Sequence, residues 1–268
     1  MRSPRLFEFI SANRPVLITL RSGMALDGAG PCNPVVIVHG GAWNIPDHLL
    51  KGSIEGAKAS ARAAYQILKT GGSALDAVVA AIRVLEDEVC FDAGTGSVLN
   101  SNGEVEMDAL IMDGETLKAG CVACVQNIKN PIDLARLVME KTEHVLLVGK
   151  GANQFAEEVE MKTVPMSELV TDEAMWEFEN FKQYGNTVTQ FFGRKDGLGH
   201  DTVGAVALDI RGNVACGTST GGITAKRPGR VGDSPVVGWL DGFKGTSSTL
   251  LDILLQTCNL TACVLVFF

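Results

Sequence analysis

The sequence has little positive charge and lacks the common nucleotide-binding motifs. Asp and Glu outnumber Lys and Arg by 31 to 23, which gives a net charge of −8. A chain with this excess of negative charge has no general attraction for nucleic acid or for an anionic membrane surface. Neither the GxGxxG pattern of dinucleotide-binding folds nor a Walker A pattern occurs. We therefore expect no nucleic-acid partner and find no support for nucleotide binding.

Metal-binding and redox motifs are also scarce. The four histidines are scattered, and Cys121 and Cys124 form the one CxxC pair of the chain. The residues around this pair predict a buried strand from about Cys121 to Gln126, so we interpret both thiols as core residues. Seven cysteines at irregular spacing are typical of reduced thiols in the cytosol. The sequence therefore predicts a cytoplasmic protein without a cysteine-bound metal.

The N-terminal segment, residues 1–32, lacks the uninterrupted apolar core and the small-residue cleavage site of a secretory signal. A mitochondrial presequence is an alternative, but Pro4 and Pro15 would break a long amphipathic helix. We expect a disordered or loosely docked extension. Whether it is a targeting signal stays open at this point.

Apolar periodicity beyond residue 33 predicts strands and helices in alternation. The predicted strands are 35–38, two segments around the hairpin signal Asn102-Gly103, 121–126, a buried strand "HVLLVG", and "TVGAVALD" joined to "VACGTST" by the turn "IRGN". The predicted helices are 53–70, one capped by Ser73 with Asp76, one with Pro131 in its first turn, "GANQFAEEVEM" and 172–184. A polar linker is predicted at about 186–201. This order indicates an α/β or α+β fold.

Thr202 lies where the linker meets the next strand. A threonine at the start of a strand needs no function, but three features favour one here. Asp201-Thr202 is a candidate scissile bond, the small residues Gly204 and Ala205 leave room for a ligand, and the hydroxyl cluster 218–220 ends the neighbouring strand. Cutting before Thr202 would create an α-amino group, with a pKa of about 8, beside the threonine hydroxyl. One residue would then supply both the nucleophile and the base.

Several segments in a fixed order resemble the plant-type asparaginase and isoaspartyl peptidase family of N-terminal-nucleophile hydrolases. They lie between about Asn33 and Gly238 and read "HGGAW", "GGSALDAV", "LEDEVCFDAGTGSVLNSNGEVEMDALIMDG", "NPIDLARLVMEKTEH", "HDTVGAVALDIRGNVACGTSTGG" and "GRVGDSP". The resemblance implies an α+β fold, a four-layer αββα sandwich. It also implies a precursor that cuts itself at Asp201-Thr202 into an α subunit, 33–201, and a β subunit, 202–238. Two such αβ pairs would form a dimer of heterodimers that hydrolyses L-asparagine and β-aspartyl dipeptides without an organic cofactor.

The resemblance further implies roles for individual residues. Thr202 would be the nucleophile, and Thr220 would be the second threonine that helps to activate it. The substrate-binding segment would be Arg230, Val231, Gly232 and Asp233. Within it, the guanidinium of Arg230 suits the α-carboxylate of an amino acid and the Asp233 carboxylate suits its α-ammonium group. The alternative interpretation is a surface turn in which Arg230 and Asp233 form a local salt bridge.

The segment "LEDEVCFDAG" resembles the sodium-holding loop of the family. The resemblance therefore implies a structural sodium ion, bound through the backbone of Leu85, Glu86, Phe91 and Ala93. Asp92 departs from the family pattern, which usually has Asn at this position. An amide that donates hydrogen bonds is thereby replaced by a carboxylate that, when ionised, only accepts them.

The resemblance ends after Gly238. The family's T-T-G-H-G loop, whose threonine and backbone N–H groups build the oxyanion hole, is not found, and the apolar tail 239–268 stands in its place. Losing one oxyanion donor costs about 10²–10³ in rate. We therefore expect an incomplete β subunit and weak hydrolysis, with an inactive relative that binds full-length subunits as the alternative. Polar residues within the tail, Asp252, Gln256 and Asn259, argue against a membrane anchor.

Overall fold

The computed structural model describes residues 7–10, 32–41, 45–184, 202–237 and 264–267. The predicted linker with Asp201, most of the extension 1–32 and most of the tail 239–268 lie outside these residues. The described strands are β1 (Phe7–Ile10), β2 (Val35–His39), β3 (Met107–Asp113), β4 (Ala119–Val125), β5 (Leu146–Val148), β6 (Val203–Leu208), β7 (Val214–Thr220) and β8 (Val264–Phe267). The described helices are α1 (Asp47–Lys69), α2 (Ala74–Asp87), α3 (Pro131–Lys141), α4 (Gly149–Glu158) and α5 (Asp172–Tyr184), with a 3₁₀ turn at Met166–Glu168.

The strands form one eight-stranded sheet in the order β1-β8-β2-β6-β7-β3-β4-β5. Neighbouring strands are antiparallel throughout except for the parallel pair β4 and β5. The hairpin of β6 and β7 lies between β2 and β3, so both of its strands are interior strands. The mixed α and β composition expected from the sequence is confirmed.

The two faces of the sheet carry different residues because side chains alternate along each strand. One face packs against the helices and is built largely from small residues. Gly217 of β7, for example, lies so close to α2 that a Cβ added there would be 2.8 Å from the Ile82 side chain. The opposite face carries a second buried cluster, Ile37, Leu110, Cys121, Val206, Leu208 and Cys216. Even-numbered residues of β6 and β7 belong to this opposite face.

Local chemistry sets the ends of several elements as predicted. Ser73 caps α2 by accepting a hydrogen bond from the Asp76 N–H at 3.1 Å. Gly71 ends α1 with a φ of +86°, a conformation that glycine adopts without steric cost. Leu99 and Val105 form an antiparallel bridge around the predicted Asn102-Gly103 turn. These short-range predictions are confirmed.

The exposure of β5 differs from the prediction. "HVLLVG" was expected to be a buried strand, yet Leu146 and Val148 are 42% and 48% exposed. β5 has only three residues and pairs with β4 at the end of the strand order. A short apolar run cannot distinguish a central strand from an edge strand, so the prediction of burial was wrong.

A helix that crosses a bilayer must be both long and apolar. Within the described ranges, no helix meets both requirements.

Candidate functional site

Thr202 and Thr220 lie beside each other on the sheet. Thr202 directly precedes β6, and Thr220 ends β7. The antiparallel register pairs Val203 with Ser219, and continuing it by one residue places Thr202 opposite Thr220. Directly opposed residues of this kind have Cβ atoms about 4.5–5.5 Å apart. The two threonines that the sequence singled out therefore occupy neighbouring positions on the face away from the helices.

A hydroxyl group from a later loop contacts Thr202. The Oγ1 atom of Thr202 lies 2.9 Å from the Oγ atom of Ser234, and either can donate the hydrogen bond. Ser234 is itself held because its carbonyl oxygen accepts a hydrogen bond of 2.7 Å from the Thr218 hydroxyl. Ser234 directly follows Asp233, so this contact brings the end of the predicted substrate segment to the predicted nucleophile. Ser234 belongs to the segment "GRVGDSP", but the sequence alone gives it no role and does not reveal its contact.

The predicted substrate segment forms a loop after β7. Arg230 is half-buried, whereas Val231 and Asp233 are exposed. The guanidinium of Arg230 folds back towards Gly232, where a Cβ would lie 3.1 Å from its Nη1 atom. Among the described residues, no ion pair joins Arg230 to Asp233. The two charges therefore do not neutralise each other as the local salt-bridge interpretation requires.

The turn after Thr220 packs against the loop that contains Asp92. Thr220 is buried, and its Oγ1 accepts a hydrogen bond of 2.9 Å from the Gly222 N–H. The Gly221 N–H donates to the backbone oxygen of Asp92 at 2.8 Å. The Asp92 carboxylate accepts a hydrogen bond of 2.9 Å from the Val98 N–H. Asp92 therefore accepts a hydrogen bond through its side chain. Its backbone oxygen binds Gly221, the residue that follows Thr220.

The segment predicted to hold sodium covers the last turn of α2 and the loop that follows it. Leu85, Phe91 and Ala93 are buried. The Glu86 carboxylate is bonded to the start of α3, where it accepts from the Ile132 N–H at 3.0 Å. Burial raises the pKa of this carboxylate to about 8. The side chain of Glu86 is therefore engaged with α3, and only its backbone oxygen is directed to the loop, where it accepts from the Thr95 N–H at 2.8 Å.

Two glycines bring backbone oxygens of this loop close together. Gly94 and Gly96 have φ values of +57° and +104°, which residues with a Cβ rarely adopt. A Cβ at Gly96 would lie 2.7 Å from the Phe91 oxygen and 2.8 Å from the Val89 oxygen. The backbone at Gly96 therefore passes close to these two carbonyl oxygens, where a side chain would not fit.

His39 is a buried residue of the site that the sequence analysis did not assign. It ends β2 opposite Gly204 and is 1% exposed. Neither ring nitrogen has a hydrogen-bond partner in the described structure, although buried polar groups are almost always paired. A Cβ at Gly204 would overlap the Nε2 atom of His39. The imidazole therefore lies over Gly204, on the face that carries Thr202, and the glycine pair after the histidine was the one signal that pointed to this region.

The CxxC pair lies in β4, as the predicted strand requires. Both thiols are free and buried. Burial raises the pKa of Cys121 to about 12 and that of Cys124 to about 11, which disfavours the reactive thiolate. In the described ranges, no group of three or more His, Cys, Asp or Glu residues is arranged to hold a metal ion.

Helix α5 reaches the site through Glu177. This residue is buried and accepts a hydrogen bond from the Thr224 hydroxyl at 3.4 Å. Thr224 lies four residues after Thr220 in the chain. Burial, with the nearby negative charge of Glu173, raises the pKa of Glu177 to about 7. The carboxyl group therefore changes its protonation state within the physiological pH range.

We expect the stability of the protein to fall as Glu177 ionises. The folded-state pKa is raised above the value of 4.5 for an unperturbed Glu, so its stabilising effect is complete below about pH 4.5 and is lost as the pH rises through 7. Between pH 5 and pH 8, the free energy of unfolding should fall by roughly 1–3 kcal/mol more in the wild type than in Glu177→Gln. Urea denaturation at both pH values measures this. Glu179→Gln, an exposed change on the same helix, should keep the wild-type pH dependence; the same dependence in Glu177→Gln would contradict the assignment.

Comparison with known proteins supports the resemblance found in the motifs. Residues 32–243 match a protein-family model described as Asparaginase. Three relatives are named isoaspartyl peptidase/L-asparaginase. The protein from Danio rerio is 51% identical over 206 residues, which cover 76% of this chain and 65% of the relative. Those from Xenopus laevis and Homo sapiens are 49% and 52% identical over 221 residues, which cover 81% of this chain and 69% and 70% of the relatives.

The chain thus spans about two thirds of the length of the curated relatives that it matches. The family model covers most of the chain, including both site threonines and the loop of Arg230 and Asp233. On this evidence, the chain belongs to the asparaginase family.

Proposed function

We propose that this chain is a self-cleaving amidohydrolase whose nucleophile is an N-terminal threonine, with L-asparagine and β-aspartyl dipeptides as substrates. The observation that carries the proposal is the 2.9 Å contact between the Thr202 and Ser234 hydroxyl groups. Thr202 is thereby next to Thr220 on one side and next to the charged loop of Arg230 and Asp233 on the other. The names of the relatives supply the substrate class.

Self-cleavage would use the Thr202 hydroxyl before any substrate binds. Its Oγ atom attacks the carbonyl carbon of Asp201, the C–N bond breaks, and an ester replaces the peptide bond. Water then hydrolyses the ester, which leaves a carboxylate on Asp201 and a free α-amino group on Thr202. This amine is the base that the threonine needs, because a hydroxyl is a weak nucleophile until a base accepts its proton.

Substrate hydrolysis would repeat the same attack on an amide. The Thr202 α-amino group, with a reference pKa of about 8, accepts the hydroxyl proton as Oγ attacks the side-chain carbonyl carbon of L-asparagine. The amide nitrogen leaves as ammonia, or as the amine of the next residue in a β-aspartyl dipeptide. Water then hydrolyses the aspartyl ester and releases aspartate. Ser234 would orient the Thr202 hydroxyl, and Thr220 would support it from the neighbouring strand.

The charged loop explains how one site would accept both substrates. L-asparagine and a β-aspartyl dipeptide share a free α-carboxylate and a free α-ammonium group on the same carbon. Arg230 provides a positive charge for the first and Asp233 a negative charge for the second. An ordinary α-linked aspartyl peptide lacks the free α-carboxylate at this position. We therefore infer that the loop selects the β-linkage by its charges.

Replacing Arg230 with alanine tests this part of the proposal. We expect the KM for L-asparagine to rise about 10- to 100-fold, because a charge-assisted hydrogen bond contributes about 1.5–3 kcal/mol. Self-cleavage should be unchanged, since the precursor presents no α-carboxylate to the loop. Ammonia release measures the KM, and Arg227→Ala, an exposed arginine three residues earlier, is the matched control.

The same assay can reject each part separately. A wild-type chain that is cut before Thr202 but releases no ammonia would contradict the proposed function. Unchanged kinetics in Arg230→Ala would instead remove Arg230 from the site. The weak turnover expected from the sequence stays a prediction, which wild-type ammonia release also measures.

We also propose a structural sodium ion in the loop after α2. Support comes from the tight turns at Gly94 and Gly96, which lie against the backbone oxygens of Glu86 and Phe91, respectively. Carbonyl oxygens are the ligands that hard cations such as Na⁺ prefer. With Leu85 and Ala93 completing the set, the ion would order the loop that carries Asp92. No organic cofactor is part of the proposal.

For the finer architecture we propose the four-layer αββα sandwich and a dimer of αβ heterodimers. Support comes from the sheet face opposite the helices, which carries the apolar residues Ile37, Leu110 and Val206. These residues are buried, and apolar residues buried on the inner face of a sheet are typical of sheet-on-sheet packing. We propose a cytoplasmic location because Cys32, Cys121, Cys124 and Cys216 are free thiols.

A further inference from the structure

Asp108 occupies the third position in a row with the two site threonines. It lies in β3, is fully buried, and is paired in register with Thr220 of β7. Because Thr220 lies opposite Thr202, the row runs Thr202, Thr220, Asp108 across three adjacent strands. All three belong to the face away from the helices. The sequence analysis gave Asp108 no role.

The Asp108 carboxylate accepts two backbone hydrogen bonds from different parts of the chain. Its Oδ1 atom accepts from the Cys124 N–H at 2.8 Å, and its Oδ2 atom accepts from the Gly232 N–H at 3.4 Å. Cys124 belongs to β4, whereas Gly232 lies between Arg230 and Asp233. Burial raises the pKa of Asp108, and the two N–H groups and the charge of Lys226 oppose that rise. The carboxylate thus ties the charged loop to the sheet.

Neighbouring contacts hold the loop before Gly232 but not at it. The Glu106 carboxylate accepts a hydrogen bond of 3.0 Å from the Gly229 N–H. The Cys124 thiol approaches the Arg230 carbonyl oxygen at 3.9 Å. Between Arg230 and Asp233, it is Asp108 that binds the backbone, by accepting a hydrogen bond from the Gly232 N–H. A glycine there has no side chain of its own to fix the backbone.

We propose that Asp108 is the positioning residue of the substrate loop, setting the distance of the Arg230 and Asp233 charges from Thr202. A substrate held at its α-carbon by those charges presents its side-chain amide to Thr202 only if the loop and the strand end keep a fixed separation. Asp108 can fix this separation, since it lies beside Thr220 at the strand end and binds Gly232 in the loop. This inference rests on the proposed function and adds to it the residue on which substrate placement depends.

Asp108→Asn separates this role from a purely structural one. The side chain keeps its size, but it has one acceptor oxygen and one NH₂ donor instead of two acceptors. One of the two backbone N–H groups must then face another donor. The shorter bond, from Cys124, should be retained and the longer one, from Gly232, lost. The variant therefore loosens the loop while leaving the strand pairing in place.

The test uses the full chain and L-aspartate, the product, as the probe. We expect Asp108→Asn to be cut before Thr202 like the wild type and to melt within a few degrees of it. Its Kd for L-aspartate, measured by calorimetry, should rise about 10-fold, and its KM for L-asparagine should rise more than its kcat falls. Asp113→Asn, the same change at the other end of β3, where its carboxylate bonds the adjacent turn, should leave both constants unchanged.

Each outcome decides the matter. Equal Kd values for Asp108→Asn and the wild type would overturn the inference while leaving the proposed function intact. A wild-type chain that neither binds L-aspartate nor releases ammonia would reject the proposed function, and Asp113→Asn would then fail in the same way. Should Asp108→Asn not fold, amide hydrogen exchange on the wild type decides instead. A Gly232 amide that exchanges like an unprotected peptide would overturn the inference.

Discussion

Thr202→Ala is expected to remain one uncut chain that releases no ammonia from L-asparagine. The alanine has no hydroxyl to attack the Asp201 carbonyl, so neither the ester nor the free α-amino group forms. The hydrogen bond to Ser234, 2.9 Å long in the wild type, is lost as well. Intact mass spectrometry should give one mass for this variant and two for the wild type, with the second fragment beginning at Thr202.

A second substitution at the same position serves as the control. Thr202→Ser keeps a hydroxyl group that can attack, so it should still be cut, although more slowly. A fragment beginning at residue 202 in the Thr202→Ala variant would mean that another group, or another protein, breaks this bond. Self-processing would then have to be abandoned for this chain.

Gly204→Ala is expected to lower the free energy of unfolding by about 3 kcal/mol and to prevent self-cleavage. The added methyl group would overlap the Nε2 atom of His39, which is buried. Either the imidazole or strand β6 must shift, and Thr202 directly precedes β6. Urea denaturation and intact mass would measure the two effects.

The controls for Gly204→Ala separate crowding from any general cost of replacing a glycine. Gly151→Ala adds a methyl group in helix α4, where nothing lies within 4 Å, so stability should stay the same or rise by about 0.5–1 kcal/mol. Removing the imidazole in the double variant His39→Ala with Gly204→Ala should recover part of the loss. A Gly204→Ala protein as stable as the wild type would show that His39 does not occupy this space.

Features that depend on a few adjacent residues were predicted well from the sequence. The Ser73 cap, the Gly71 helix end and the turn between β6 and β7 each follow from the local chemistry of one residue type. The closeness of Thr202 and Thr220 was also predictable, because the hairpin turn sets the register of the two strands. The role assigned to Thr220 came from the family resemblance and not from this geometry.

Features that depend on distant parts of the chain were missed. Burial of β5 was predicted wrongly because whether a strand has one neighbour or two is decided by strand order. Ser234 contacts Thr202 from 32 residues later in the chain (234 less 202). His39 lies opposite Gly204 from 165 residues earlier (204 less 39). No periodicity within a short window contains such a contact. The register of β3 with β7, which places Asp108 beside Thr220, was invisible for the same reason.

The position of β6 in the middle of the sheet has a consequence for the chain end that cleavage before Thr202 would create. A polypeptide terminus usually frays, because it has lost a covalent neighbour and has few bonds to replace it. Strand β6, which begins directly after Thr202, is paired along both edges, with β2 and with β7. Breaking the backbone before it would free one amine without freeing the strand. The α-amino group of Thr202 would therefore keep the same position on the sheet after cleavage as before it.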